Sequence, residues 1–209
     1  MKTRSNQRPI VTMTFTAILA ALILLMTFTG IAYIPIGPLK LTLNALPVAV
    51  GAVVLGPMAG LLLGAVFGLS SFLTCVLGMD AFGVLLLGIS PVETFLMCMV
   101  PRLLCGLLPA LLYRALKKVD KNGTVSAAVA CTATAVINTL LFMGALWLFF
   151  IDDIASNPQI IELLGGVIDS FPALFAAFAG VNAAVEAAGN LILGAAIVKV
   201  LFTLQKRMG

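Results

Sequence analysis

Apolar runs long enough to cross a lipid bilayer recur along the whole chain. A transmembrane helix needs about 20 predominantly apolar residues, and the first such run extends from Ile10 to about Tyr33. Hydrophobic residues make up 62% of the 209 residues and charged residues only 10%, whereas a soluble domain carries roughly 25% charged residues. A soluble fold of this length could not hide so much apolar surface. We therefore expect an all-α fold: a polytopic membrane protein with six transmembrane helices, forming a single transmembrane domain over residues 1–209.

The expected spans are separated by segments rich in helix-breaking or polar residues. The stretch from Ile34 to Leu43 contains Pro35, Gly37 and Pro38, which predict an extended loop or a short hairpin. Residues 78–90 are less regular and predict an outer loop with a partly embedded stretch at 82–87, and a polar loop is expected at 152–172. Basic residues precede the first run, as in a signal peptide, but the run is long enough to be a retained first helix. The expected spans are residues 10–32, 45–55, 57–77, 91–116, 124–150 and 174–204.

The loop cations fall almost entirely on one side of this topology. If the N-terminus is inside, Lys40 is the only loop cation outside, where it is joined by Asp80, Asp152, Asp153, Glu162 and Asp169. The positive-inside rule requires such an asymmetry. We therefore expect a multi-pass protein of the cell membrane with both termini cytoplasmic. The cations on the inner side are Lys2, Arg4, Arg8, Arg114, Lys117, Lys118, Lys121, Lys206 and Arg207.

Polar residues within the spans are the candidate functional residues, because burying them in hydrocarbon is costly. In the sixth span Asn182, Glu186 and Asn190 are spaced four residues apart and share one helix face. This stripe predicts either one wall of a solute pocket or a hydrogen-bonded seam between helices.

Arg102 is the charged residue that lies deepest in the fourth span. Glu93 is nine residues away, on the opposite side of an ideal helix, so Arg102 needs another partner. That partner is either Glu186 or a substrate carboxylate or phosphate. Glu93, expected near the outer surface, and Asn138, in the middle of the fifth span, complete the substrate-binding candidates within the spans. Lys40 and Asn44 end the first outer loop and could close over a solute.

Two patterns of small residues predict close helix packing. Ala17 and Ala21 in the first span are four residues apart, as are Gly60, Gly64 and Gly68 in the third. Small residues at this spacing let helix backbones approach closely. For the glycines we expect packing inside the protein. For the alanines the pattern allows either an internal contact or a contact with another subunit.

The chain lacks the motifs of a nucleotide-driven pump or of an enzyme. It has no P-loop motif, no histidine and no clustered metal ligands, so ATP binding by a P-loop and histidine-based catalysis are excluded. The four cysteines lie in apolar runs without a paired motif and predict small buried side chains. We expect no enzymatic activity, no cofactor and no metal. Energy for transport must come from an ion gradient or from a partner.

In their order and spacing, several segments resemble the substrate-binding S components of energy-coupling factor (ECF) transporters. The resemblance extends over nearly the whole chain and includes the alanine pair of the first span and the Pro-rich outer loop. It also includes two further segments: Leu46-Pro47-Val48 and Val54-Leu55-Gly56-Pro57-Met58-Ala59-Gly60. In the sixth span, Val181-Asn182-Ala183, followed by small residues, resembles the riboflavin-type branch of the family.

The resemblance implies a vitamin pocket in the outer half of the protein, formed by the first outer loop and spans four to six. It also implies docking through Ala17 and Ala21 on a transmembrane coupling subunit, powered by two cytoplasmic ATPases. The function expected is capture of a vitamin, with pantothenate or riboflavin as the leading substrates, for ATP-driven uptake. The alternative is a self-sufficient secondary transporter or channel, with Glu186 as a coupling carboxylate.

Overall fold

The computed structural model describes residues 3–30, 33–36, 39–120, 123–158, 161, 170, 172, 186–194 and 196–200. Within them four helices are long and apolar enough to cross a membrane, in the segments Pro9–Phe28, Pro57–Val76, Pro91–Leu116 and Thr124–Ile154. A fifth apolar helix, Ala45–Leu55, is shorter. The all-α, multi-pass architecture is thus confirmed. Most of the expected sixth span lies outside the described residues, so the count of six stays a prediction.

The first helix, α1 (Thr3–Phe28), lies at the edge of the bundle. It packs on α2 (Ala45–Leu55) and α3 (Pro57–Val76) through a face that includes Leu19, Ala20 and Ile23. The remaining faces of α1 point outward, since only 11% of its apolar window is buried. Helix α1 therefore presents a long apolar surface to its surroundings.

A short antiparallel hairpin joins α1 to α2. Strand β1 (Tyr33–Ile36) pairs with β2 (Leu39–Thr42), which confirms the hairpin expected for this segment. The strands are the only ones among the described residues.

A tight turn separates α2 from α3. Gly56 has a φ of 98°, a conformation that residues with a Cβ rarely adopt. Pro57 then occupies the first position of α3, where its missing N–H costs nothing. The chain therefore reverses between the two helices within a single residue.

Residues 81–89 form a helix, which corrects the expectation of an irregular loop there. Helix α4 (Ala81–Ile89) begins at Asp80, whose carboxylate accepts a hydrogen bond of 3.2 Å from the backbone N–H of Gly83. It ends at Ser90, which in turn precedes Pro91, the first residue of α5 (Pro91–Leu116). The aspartate that suggested a loop is thus an N-cap.

Helices α3 and α5 are antiparallel and touch backbone to backbone through the glycine stripe. A Cβ at Gly60 would collide with the carbonyl oxygen of Gly106, and one at Gly64 would collide with that of Arg102. Gly68 continues the contact at Cys98. This confirms the expected internal packing of the three glycines, and it holds the backbone of Arg102 directly against α3.

Helix α6 (Thr124–Ser156) is longer than the expected fifth span. Asp152 and Asp153 belong to it, so the polar loop does not begin at residue 152 as expected. The helix ends because Asn157 is extended, the conformation imposed on a residue before proline. Near the C-terminus, Asn190–Gly194 forms a π-helical segment that packs on α6, with Gly194 against Cys131.

Candidate functional site

Arg102 is oriented by a proline in its own helix. The carbonyl oxygen of Met97 would normally accept the N–H of residue 101, but Pro101 has no N–H. Nη1 of Arg102 donates to this freed oxygen at 2.9 Å. The side chain therefore runs back along α5, inside the bundle.

Two aromatic rings from neighbouring helices contact the Arg102 guanidinium. Its Cζ atom lies 4.6 Å from the centre of the Phe142 ring of α6 and 5.4 Å from that of the Phe67 ring of α3. A guanidinium at this distance over an aromatic face is held by a cation–π attraction, which is strongest when both groups are dehydrated. The two rings thus stabilise the charge of the buried guanidinium.

Arg102, Asn138 and Asn190 each carry a buried polar atom that has no hydrogen-bond partner among the described residues. Arg102, Asn138 and Asn190 are 7%, 5% and 4% exposed, and the atoms are Nε of Arg102 and Oδ1 of each asparagine. Buried polar atoms are nearly always hydrogen-bonded. Polar groups that converge at a buried place with bonding capacity to spare are typical of a ligand site.

The positions of these residues in the fold bring them to one level of the bundle. Asn138 lies one helical turn before Phe142 on α6, and Gly194 packs on Cys131 of the same helix. Val198, four residues later, packs in the same cluster as Ala127, four residues before Cys131. The C-terminal segment therefore runs antiparallel to α6, which brings Asn190 and Glu186 near the level of Asn138. Glu186 is buried and lies one helical turn before Asn190, whose Nδ2 donates to its carbonyl oxygen. Arg102, Asn138, Glu186 and Asn190 therefore form one candidate site.

Asn44 belongs instead to a buried polar network that the sequence analysis did not foresee. Its Nδ2 donates to Oγ1 of Thr27 at 2.8 Å, and Thr27 lies 3.4 Å from Oγ of Ser70. Thr27 and Ser70 also donate to carbonyl oxygens of their own helices. The network ties α1, the start of α2 and α3 together. The only signal for this network in the sequence was the presence of polar residues at these three positions in or beside apolar segments.

The other predicted site residues lie elsewhere or outside the described part of the chain. Glu93 is half-buried in the first turn of α5, away from Arg102. Lys40 lies in β2, paired with Pro35. Asn182 lies outside the described residues. Ala17 and Ala21 are both exposed on α1, so neither packs inside the protein.

One curated relative is similar to about half of the chain. The pantothenic acid transporter PanT of Lactococcus lactis subsp. cremoris (strain MG1363) is 32% identical over 121 residues, which are 54% of this chain and 59% of that protein. The chain thus spans about 59% of the length of this relative.

A family model covers much more of the chain. The model of the ECF transporter substrate-specific component matches residues 11–198. This range contains all four residues of the candidate site and the long apolar helices of the described residues, except for the first two residues of Pro9–Phe28. The chain belongs to the family of substrate-specific components of ECF transporters.

Proposed function

We propose that this protein is a vitamin-capturing S subunit and that its substrate is pantothenate. The observation that carries the proposal is the buried Arg102 guanidinium, whose Nε has no partner among the described residues. A carboxylate is the natural partner of such a group, because the pair forms charge-assisted hydrogen bonds. The relative named as a pantothenic acid transporter supports the same substrate.

The remaining groups of the site suit the rest of the pantothenate molecule. Pantothenate has one carboxylate, one amide N–H and two hydroxyl groups. Asn190 uses its Nδ2 to donate to the carbonyl oxygen of Glu186 at 3.0 Å, so its Oδ1 is the group left to accept from a ligand. Oδ1 of Asn138 is a second acceptor. The site thus offers one cationic donor and two acceptors, whereas riboflavin has no carboxylate for Arg102.

Ligand binding in detergent tests this proposal. Isothermal titration calorimetry should detect pantothenate binding to the wild-type protein. Arg102→Ala should weaken it by about 1.5–3 kcal/mol, the contribution of a hydrogen bond to a charged group, or roughly 10- to 150-fold in Kd. Arg114→Ala is the matched control, because Arg114 is on the same helix but exposed at its far end. Binding of riboflavin in place of pantothenate would refute the proposed substrate.

We further propose that uptake depends on a transmembrane coupling subunit and two cytoplasmic ATPases. Membership of a family of substrate-specific components supports this proposal. The absence of a P-loop motif from the sequence and the outward-facing alanines of α1 support this. A self-sufficient secondary transporter is the alternative, in which Glu186 would be the coupling carboxylate.

We also propose that both termini are cytoplasmic, on the strength of the cation asymmetry. In a background without the four buried native cysteines, an impermeant thiol reagent added outside should label Ser156→Cys but not Val119→Cys. Ser156 is exposed at the C-terminal end of α6, and Val119 is exposed just after the C-terminal end of α5. The expected topology places these two helix ends on opposite sides of the membrane. Labelling of Val119→Cys alone would show that the orientation is the opposite one, with both termini outside.

A further inference from the structure

The Arg102 guanidinium keeps an edge that is available to a ligand. Nη1 is committed to the carbonyl oxygen of Met97, and the Cζ atom lies under the rings of Phe142 and Phe67. Nε has no partner among the described residues. Nε and Nη2 form the edge of the guanidinium on the side away from Nη1. Their two parallel N–H bonds match the two oxygens of a carboxylate.

From this geometry we infer that Phe142 and Pro101 are positioning residues that determine the specificity of the site for a carboxylate. The inference rests on the proposed function and deepens it. Neither residue needs to touch the ligand. Phe142 holds the plane of the guanidinium, and Pro101 supplies the free carbonyl that holds its Nη1 end, so the Nε edge is fixed before the ligand arrives.

Such fixing favours a planar anion over a neutral analogue. A bidentate pair requires both N–H bonds to point at the ligand. Because the Arg102 side chain is already ordered in the empty protein, little conformational entropy is lost when the ligand binds. A neutral hydroxyl in place of the carboxylate can use only one of the two donors, and without the charge. Discrimination between carboxylate and hydroxyl is therefore the quantity that the positioning residues control.

Pantothenol, in which a CH₂OH group replaces the carboxylate of pantothenate, measures this discrimination. The readout is the ratio of the pantothenol Kd to the pantothenate Kd, determined by calorimetry in detergent. In Phe142→Leu the ratio should fall about tenfold, as expected for loss of a dehydrated cation–π contact. In Phe142→Tyr, which keeps the aromatic face, the ratio should be retained.

Pro101→Ala tests the second positioning residue through a different mechanism. The new N–H at position 101 can occupy the Met97 oxygen as an ordinary helix hydrogen bond, which displaces Nη1 of Arg102. The ratio should fall severalfold while the melting temperature of the empty protein is unchanged or raised, because a proline in a helix interior is unfavourable. Misfolding would not give that combination.

Phe72→Leu is the matched control for the aromatic substitutions. Phe72 stacks edge-on with Phe95 at 5.2 Å between ring centres, so its loss removes an aromatic contact without touching Arg102. The ratio should stay at the wild-type value.

The possible outcomes separate this inference from the proposed function. A wild-type protein that prefers pantothenate, with the same ratio in Phe142→Leu and Pro101→Ala, would overturn the positioning roles and leave the proposed function standing. An equal loss of affinity for both ligands in Phe142→Leu would likewise show a packing role only. A wild-type protein that does not bind pantothenate would overturn both, whereas one that binds both ligands equally would overturn the positioning roles alone.

Discussion

At the scale of single residues, buried polar side chains fall into two groups. Thr27, Ser70 and Asn44 bond to one another across three helical segments. Asn138 and Asn190 instead each retain an Oδ1 without a partner among the described residues. A buried polar atom that lacks a partner costs about 1–3 kcal/mol. The first group therefore stabilises the fold, and we assign the second to the ligand.

This assignment predicts opposite effects for matched substitutions. Asn138→Ala should weaken pantothenate binding by about 1–3 kcal/mol and leave the melting temperature of the ligand-free protein nearly unchanged, because no hydrogen bond of its Oδ1 to the described residues is lost. Calorimetry and thermal unfolding in detergent measure the two effects.

Thr27→Val provides the reverse case. It keeps the shape of the side chain but removes the hydrogen bonds to Asn44 and Ser70, so the empty protein should lose about 1 kcal/mol of stability while its affinity for pantothenate is kept. If Asn138→Ala destabilised the protein and Thr27→Val impaired binding, the assignment of the two groups would be wrong.

At the scale of helices, the glycine stripe of α3 sets how closely α5 approaches. Gly64 faces the carbonyl of Arg102 itself, and Gly60 and Gly106 face each other. The backbone that carries Arg102 is thus held by direct contact, while Pro101 and Phe142 orient its side chain. Helix packing and site geometry depend on the same short stretch of α5.

Gly64→Ala should disturb both. The new Cβ has no room against the α5 backbone, and overpacking of this kind costs about 1–3 kcal/mol. We expect a lower melting temperature and weaker pantothenate binding, because α5 must move with Arg102. Gly144→Ala is the control: it lies inside α6 with nothing within 4 Å of the added Cβ, so stability should be equal or higher. Full affinity in Gly64→Ala would show that the site tolerates a shift of α5.

At the scale of the whole molecule, α1 is a peripheral helix with one face packed and the others open. Ile23 and Thr27 are fully buried toward α2 and α3, whereas Ala17 and Ala21 are exposed. A partner helix could approach closely at this pair of small residues. The proposed ligand site lies between α3, α5, α6 and the C-terminal segment, so we expect docking and binding to occupy different parts of the protein.

Replacing Ala17 and Ala21 together by Trp should therefore separate the two activities. Uptake and co-purification with a coupling subunit should be lost, because the bulky side chains keep the partner backbone away, while pantothenate affinity in detergent is unchanged. Uptake is measured in vesicles that contain the complete transporter. Loss of binding together with docking would place the alanines in an internal contact, and ion-driven uptake by the chain alone would favour the secondary transporter.

Local patterns in the sequence were sufficient for most elements of the fold. Apolar runs located the four long helices and the short α2, prolines and Gly37 located the hairpin, and the spacing of the glycines predicted their internal packing. Two segments were predicted wrongly, namely α4 and the end of α6. In both, a charged residue suggested a loop, but Asp80 is an N-cap and Asp153 continues its helix.

The sequence by itself determined that this chain is a multi-pass membrane protein and that Arg102, Asn138, Glu186 and Asn190 are buried polar candidates, because hydropathy and burial cost are properties of each segment. Only the tertiary structure decided what surrounds them. The contacts of Arg102 with Phe67 and Phe142, and of Asn44 with Thr27, join residues 17 to 40 positions apart. Such contacts depend on how the helices pack, and no local pattern encodes which faces will meet.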